Sequence, residues 1–136
     1  MELAELKNAH FLKSKTVIIR KRFDDRYIFL PVGVEKTLQE IHPDLVFAME
    51  YNPTILRAVH WCQKKKIPFI SWTDGTLNSE KNIGKVQRMS RSYIIKRAAA
   101  FVASSTASRQ AQTAYGADGE TCFISCFTVD IQKYLK

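Results

Sequence analysis

The stretch from Pro43 to Gly75 constrains the fold of this chain most, because two short apolar runs flank a segment with helical periodicity. The runs extend from Leu45 to Met49 and from Phe69 to Trp72. Continuous apolar runs of this length are typical of strands in a parallel sheet that is covered on both faces. Between them, Asn52 is a favourable N-cap, and Pro53 suits the first position of a helix. This order predicts a βαβ unit.

The predicted helix carries apolar residues at the spacing of one helical face, which should lie on the sheet. These residues are Ile55, Ala58, Val59 and Cys62. Lys64, Lys65 and Lys66 complement the negative end of the helix dipole, and Pro68 prevents the helix from continuing.

Before this unit, the sequence predicts a strand from Thr16 to Arg20, a charged surface turn from Lys21 to Arg26 and an extended segment from Tyr27 to Leu30. Leu3 and Leu6 suggest a first amphipathic helix. A further helix is marked by Val34, Leu38 and Ile41, and it should end at His42, because the residue before a proline avoids helical geometry.

After the unit, Asn78 to Gly84 is polar and typical of a loop, and helical periodicity runs from Lys81 to Arg97. A strand from Ala99 to Ala103 should lead into a helix capped by Ser104, Ser105 and Thr106 and ended by Gly116, before a last strand from Thr121 to Phe127. This alternation predicts one α/β domain over residues 1–136, with a Rossmann-like, doubly wound and mostly parallel sheet and helices on both faces.

Composition describes a soluble globular protein, with 46% hydrophobic and 25% charged residues and no apolar run near membrane-spanning length. The first 13 residues lack the apolar core of a signal peptide, which predicts a cytoplasmic chain. Cys62, Cys122 and Cys126 lie in apolar patterns and are expected to be reduced thiols. We find no metal-ligand pattern and predict no cofactor.

A net charge of +8 should attract phosphates in nucleic acids, nucleotides or anionic lipids. Six basic residues and no acidic ones lie from Lys81 to Arg97. On a helical wheel one face carries Lys81, Lys85, Arg88, Arg91 and Lys96, and the other carries Val86, Met89, Tyr93 and Ile94. The basic face is either simply solvated or a contact to an anionic membrane, which would make the protein peripheral on the inner face of the membrane.

Ligands of open α/β sheets bind beyond the carboxyl ends of the strands. The candidate site residues are therefore Glu50, Tyr51, Asn52, Thr73, Asp74, Gly75, Ser104 and Ser105. Alternatives exist for each group: Asp74 can form an Asx turn before Gly75, Glu50 and Tyr51 can be solvated loop residues, and the serines can cap a helix. A helix start at this edge can also hold a phosphate. No histidine belongs to a recognisable catalytic constellation.

Several segments resemble the N-terminal domain of GT-B-fold glycosyltransferases of the large retaining family 4. They are Pro43-Asp44-Leu45-Val46, Tyr51-Asn52-Pro53, the stretches from Ile67 to Gly75 and from Arg97 to Ser105, and the segment from Val129 to Tyr134. The resemblance covers roughly the part of the chain from Thr37 onward. It implies that Asp74 lies beside an acceptor hydroxyl, which a carboxylate can orient or polarise.

The resemblance also has departures. Family members begin with a strand and a glycine-rich loop, which nothing before Lys15 resembles, and they carry a donor-binding domain that would begin near Lys136. We therefore expect an acceptor-side half that is inactive alone, in an enzyme that moves a sugar from a nucleotide-diphosphate sugar to a polysaccharide or lipid-linked acceptor. The alternative is a non-enzymatic module that docks a nucleic acid or protein through its basic helix. Tyr93 on the apolar face argues against nucleic acid.

Overall fold

The structure, a computed structural model, describes residues 12–21 and 24–128. In chain order the elements are strands β1 (Ser14–Lys21) and β2 (Asp24–Pro31), helix α1 (Val34–Ile41), strand β3 (Val46–Met49), helix α2 (Pro53–Lys65), strand β4 (Phe69–Thr73), helices α3 (Leu77–Glu80) and α4 (Lys85–Ile95), strand β5 (Ala100–Ala103), helix α5 (Thr106–Ala114), a 3-10 turn (Gly119–Thr121) and strand β6 (Cys122–Ile124). The predicted helix at Leu3 and Leu6 and the segment 129–134 lie outside the described residues.

Strands β3, β4, β5 and β6 form one parallel sheet in that order. Its register aligns Ala48 with Ser71, Ser71 with Phe101, and Phe101 with Cys122. This confirms the α/β, Rossmann-like fold with a parallel sheet and flanking helices. Because the strands are adjacent in sequence order, each right-handed crossover places its helix on the same face of the sheet.

The core lies between this face and helices α2, α4 and α5. Val59 and Cys62 of α2 are fully buried, as the predicted apolar stripe requires, and they cluster with Phe69 of β4 and Ile94 of α4. A second cluster under the other end of the sheet contains Ile95, Phe101, Ala103, Ala117 and Cys122. Helix α5 is attached through a buried side chain, since Gln112 Nε2 donates a hydrogen bond of 2.8 Å to the carbonyl oxygen of Val102.

The opposite face of the sheet is open in the part of the chain that the structure describes. Phe47, Met49 and Phe123 point to this face and are exposed. The Trp72 ring contacts Phe47 and Phe127, with centroid distances of 5.6 and 5.5 Å. The second layer of helices expected from the sequence is therefore not among the described residues.

Strands β1 and β2 form a separate antiparallel hairpin, in register from Ser14 opposite Pro31 to Lys21 opposite Asp24. Both predicted extended segments are confirmed and are longer than expected. The predicted turn over six residues, Lys21 to Arg26, is wrong, because four of those six belong to the strands.

The side chain of Arg57 on α2 fixes the end of this hairpin. Its Nη1 donates to the carbonyl oxygen of Pro31, and its Nε donates to Glu35 Oε1 of α1 at 2.8 Å. The hydrogen bond from Arg57 also lowers the pKa of Glu35, the direction expected of a paired carboxylate. One arginine thus joins the hairpin, α1 and α2.

The segment after β4 differs from its predicted loop and helix. Thr76 and Ser79 form reciprocal capping hydrogen bonds, and these start the short helix α3, which overlaps the first residues of the expected loop. Helix α4 begins at Lys85 rather than Lys81, because the Gly84 N–H donates to Gln87 Oε1 at 2.9 Å and marks the start of the helix. Lys81 therefore lies outside α4.

Candidate functional site

Three predicted site residues follow three neighbouring strands at their carboxyl ends. Glu50 follows β3, Asp74 follows β4 and Ser104 follows β5. The backbone ladder continues into this edge, since the Glu50 N–H donates to the Trp72 carbonyl at 2.9 Å and the Ser104 N–H donates to the Thr73 carbonyl at 3.2 Å. The parallel sheet therefore brings these residues together at one edge.

Glu50 has an unusual backbone conformation and a perturbed carboxyl group. Its backbone is left-handed, with φ of 72°, a conformation that non-glycine residues rarely adopt and that often marks functional sites. Burial raises the pKa of Glu50, and the nearby Asp74 carboxylate raises it further through charge repulsion and a side-chain hydrogen bond. Two carboxyl groups thus follow neighbouring strands at this edge, close enough for Asp74 to raise the pKa of Glu50.

A buried ion pair lies next to these carboxyl groups and was missed by the sequence analysis. Arg91 of α4 donates through Nε to Glu80 Oε1 of α3 at 2.7 Å, with only 14% and 9% of the two side chains exposed. A side chain at position 75 would place a Cβ 2.9 Å from this same Glu80 oxygen. Gly75 is therefore needed for Glu80 to approach the end of β4.

Tyr51 connects the ion pair to the core. The Arg91 guanidinium lies over the Tyr51 ring, 5.1 Å from its centroid, and Tyr51 packs against both core clusters. Burial is the main cause that raises the pKa of the Tyr51 hydroxyl, and the Glu80 carboxylate contributes. Tyr51 is therefore a largely packed residue and not the solvated loop residue that the sequence also allowed.

Asn52 and Thr73 use their side chains within the protein. Asn52 Oδ1 accepts a hydrogen bond of 3.1 Å from Ile55 N–H and caps α2. Thr73 is buried, and its Oγ1 accepts from the Gly75 N–H at 3.0 Å. Both residues shape the two loops at the edge, and their predicted contact with an acceptor stays a prediction.

The serines after β5 form a hydrogen-bonded group with Ser108, which the sequence analysis missed. Ser105 caps α5, because its Oγ accepts from Ser108 N–H at 3.1 Å. Ser108 Oγ lies 3.2 Å from Ser104 Oγ and donates to the Asp74 carbonyl at 2.9 Å. Ser108 is fully buried, so it fixes the loop that carries Asp74 to the start of α5.

The predicted basic surface is partly wrong. Lys85 and Arg88 are exposed on α4, and Lys81 is exposed just before it. Arg91 instead faces the protein interior, because it lies three and four residues before the buried Ile94 and Ile95 and so shares their side of the helix.

The predicted apolar face of α4 is also wrong in its first turns. Val86 is 80% exposed and Met89 is 71% exposed. Exposed apolar and basic side chains therefore occur together on the outer side of α4, whereas the helical wheel placed them on opposite faces.

Residues 12–21 and 24–128 contain no cluster of three or more metal-binding side chains. In the same ranges, no helix has the length and hydropathy needed to cross a bilayer. What the edge offers chemically is two neighbouring carboxyl groups, one with a raised pKa, beside the ion pair of Arg91 and Glu80. Such a pair can accept hydrogen bonds from a hydroxyl group and exchange a proton with it.

A scan against models of known protein families finds no match, and a search of curated proteins finds none either. Solved structures do match. UDP-N-acetylglucosamine 2-epimerase from Rickettsia bellii aligns with a TM-score of 0.55 at 20% identity, over 68% of this chain and 24% of the epimerase. Anabaena HepE, in complex with UDP and glucose, aligns with a TM-score of 0.60 at 21% identity, over 74% of this chain and 28% of HepE.

This chain therefore spans about a quarter of the length of the solved structures it matches. At this level of identity the likeness shows the fold alone, which is GT-B-like. Membership of family 4 and a retaining mechanism stay predictions.

Proposed function

We propose that this chain forms the acceptor-side wall of a site that transfers a sugar from a nucleotide-diphosphate sugar. In this proposal Glu50 and Asp74 together bind and polarise the acceptor hydroxyl. The observation that supports it is that both carboxyl groups follow paired parallel strands at the carboxyl edge of the sheet, where burial and the nearby Asp74 carboxylate raise the pKa of Glu50.

The raised pKa of Glu50 suits this residue to act as a general base. A general base is most effective when its pKa approaches the working pH, and an ordinary surface glutamate lies well below neutrality. Asp74 both raises the pKa of Glu50 and offers a second acceptor for the same hydroxyl. Arg91 and Glu80 keep the surrounding loops in place through their buried ion pair.

The nucleotide-sugar part of the proposal draws on the solved structures. HepE was solved with UDP and glucose, and the epimerase is named for a UDP-sugar. We expect the leaving diphosphate to be held by a second domain facing this edge, since its charge needs cationic or N–H groups in attack geometry.

A second candidate is epimerisation of a nucleotide sugar, which the same carboxyl pair favours. Removing a proton from a sugar carbon and returning it requires acid and base groups whose pKa values are set apart by their environment. The raised pKa of Glu50 makes it the group of the pair that is better suited to hold a proton. Analysis of the reaction products distinguishes sugar transfer from epimerisation, because epimerisation forms its product without an acceptor.

We also propose that Lys85 and Arg88 on the outer side of α4, together with Lys81 just before it, contact an anionic membrane. Each well-placed basic residue contributes about 1 kcal/mol to such binding. The exposed side chains of Val86 and Met89 support the proposal, because apolar groups beside cations are typical of helices that lie in a membrane interface.

The acceptor proposal is tested by titrating the chain with methyl β-D-glucoside and following NMR shifts. Asp74→Asn should weaken binding about tenfold, because a hydrogen bond to a carboxylate contributes about 1.5 kcal/mol. Asp44→Asn is the matched control, since Asp44 is an exposed carboxylate that precedes β3 at the opposite edge of the same sheet. Equal affinities of wild type and the Asp74→Asn variant would contradict the proposal.

A further inference from the structure

A groove of about 380 Å³ opens beside Tyr51 and Asn52, the two residues that follow Glu50, between the hairpin, the start of α2 and the start of α4. Its walls are largely apolar and include Ile28, Phe29, Pro53, Leu56 and Val86. Gln87 and Ser90 supply polar groups. A mostly apolar cavity with a few polar groups has the composition of a small-molecule site.

Tyr51 joins this groove to the candidate site. It lines the groove, and its ring also lies under the Arg91 guanidinium of the buried ion pair. Arg91 in turn binds Glu80, whose oxygen approaches Gly75 beside Asp74. Tyr51 therefore lies both at the groove and directly after Glu50 in the chain, so the groove is close to the carboxyl edge.

Large apolar side chains are exposed at this groove. Phe29 is 58% exposed and Val86 is 80% exposed. Apolar surface left open to water at a concave site marks a place where a ligand or partner removes it from water. Lys85 and Arg88 flank Val86 along α4 and add positive charge beside the apolar surface.

The hairpin wall of the groove is held firmly against α2. Arg57 binds the carbonyl oxygen of Pro31 at the end of β2, while its guanidinium also forms an ion pair with Glu35. Leu56, the neighbour of Arg57, lines the groove on the α2 side. Both walls are therefore tied together by one side chain, which preorganises the groove for binding.

We propose that the groove binds the alkyl chain of an amphiphilic acceptor whose sugar lies at Glu50 and Asp74. This inference rests on the proposed function and adds the class of acceptor to it. The apolar walls favour an alkyl chain, the shared Tyr51 gives continuity with the sugar site, and the positive charge of Lys85 and Arg88 complements an anionic group on the same molecule.

The test compares methyl, hexyl and octyl β-D-glucosides below their micelle concentrations, by NMR titration of the chain. Each buried methylene should improve affinity about fourfold, from the usual transfer free energy of a CH₂ group. We expect hexyl glucoside to bind at least about tenfold tighter than methyl glucoside. Equal affinity across the series would overturn the inference.

Two exposed apolar residues of α4 provide matched variants. Val86 lines the groove, whereas Met89 does not. Val86→Asp should remove the gain from the alkyl chain, and Met89→Asp should keep it. Both side chains are largely exposed, so neither change should disturb the fold. An equal loss in both variants would show unspecific adsorption to α4 and overturn the inference.

A further pair of variants tests the hairpin wall. Phe29→Ser should reduce the gain from the alkyl chain, and Phe123→Ser, at a similarly exposed phenylalanine on the open face of the sheet, should not.

Failure of the acceptor proposal has a different signature. If binding of octyl glucoside depends on Val86 but not on Asp74, the result supports the groove and contradicts the carboxyl site. If binding of methyl glucoside depends on Asp74 and a longer alkyl chain brings no gain in affinity, the result supports the carboxyl site and contradicts the groove.

Discussion

Replacing Arg91 by alanine tests the buried ion pair that supports the candidate site. With only 14% of the Arg91 side chain and 9% of the Glu80 side chain exposed, the variant leaves a carboxylate buried without its cation. Breaking such a pair destabilises a protein by about 3 kcal/mol. In a domain of this size that corresponds to a fall in Tm of about 10 °C.

Arg88→Ala is the matched control, because it removes the same side chain from the same helix. Arg88 is exposed and donates one hydrogen bond of 2.9 Å to the Lys81 carbonyl, so its loss should cost less than about 1 kcal/mol. Urea unfolding followed by circular dichroism measures both variants. Similar losses of unfolding free energy in the two variants would refute the buried position of Arg91 and support its predicted place on the exposed basic face.

A double-mutant cycle separates the ion pair from other contacts of Arg91, which also donates to the Gln87 carbonyl and lies over Tyr51. If the Glu80 contact dominates, adding Glu80→Gln to Arg91→Ala should recover part of the lost stability. Strictly additive losses would show that Arg91 and Glu80 do not depend on each other.

Three further predictions concern pH, membranes and catalysis. Because folding raises the pKa of Glu50, ionisation of this group lowers the stability of the folded state as the pH rises through that pKa. Glu50→Gln should therefore raise Tm at pH 8 and leave Tm unchanged at pH 4. A gain in Tm at both pH values would contradict the raised pKa of Glu50. Replacing Lys81, Lys85 and Arg88 by alanine should abolish salt-sensitive binding to phosphatidylserine vesicles with little change in Tm, whereas unchanged binding would exclude the membrane contact. Finally, residues 1–136 alone should show no turnover and at most millimolar binding of UDP-, GDP- or ADP-sugars, whereas micromolar binding or steady turnover would indicate an independent enzyme.

The sequence predicted best where local signals agree with one another. In the unit around α2, the Asn52 cap, Pro53, the apolar stripe and the lysines before Pro68 all favour the same helix, and the structure has it from Pro53 to Lys65. The strand boundaries were predicted to within two residues, except the start of β2 and the end of β6, because short apolar runs between turn residues leave few alternatives.

The prediction failed where contacts distant in sequence decide the structure. The two faces of the helical wheel were assigned by polarity, so Arg91 was counted with the exposed cations. In the structure it turns inward, because Glu80, on another helix, supplies a buried partner. No sequence signal identified Glu80 as that partner. The groove could not be predicted from the sequence either, since it forms only where the hairpin lies beside α2 and α4.

The central claim is that the acceptor sugar binds at the carboxyl edge of the parallel sheet. The most direct measurement is a map of backbone amide shifts in the isotope-labelled chain as methyl β-D-glucoside is added. The account predicts that the largest shifts occur at Glu50, Tyr51, Asp74 and Gly75 and that they are lost in the Asp74→Asn variant. Shifts concentrated at the opposite edge, around His42 and residues 65–66, would contradict it.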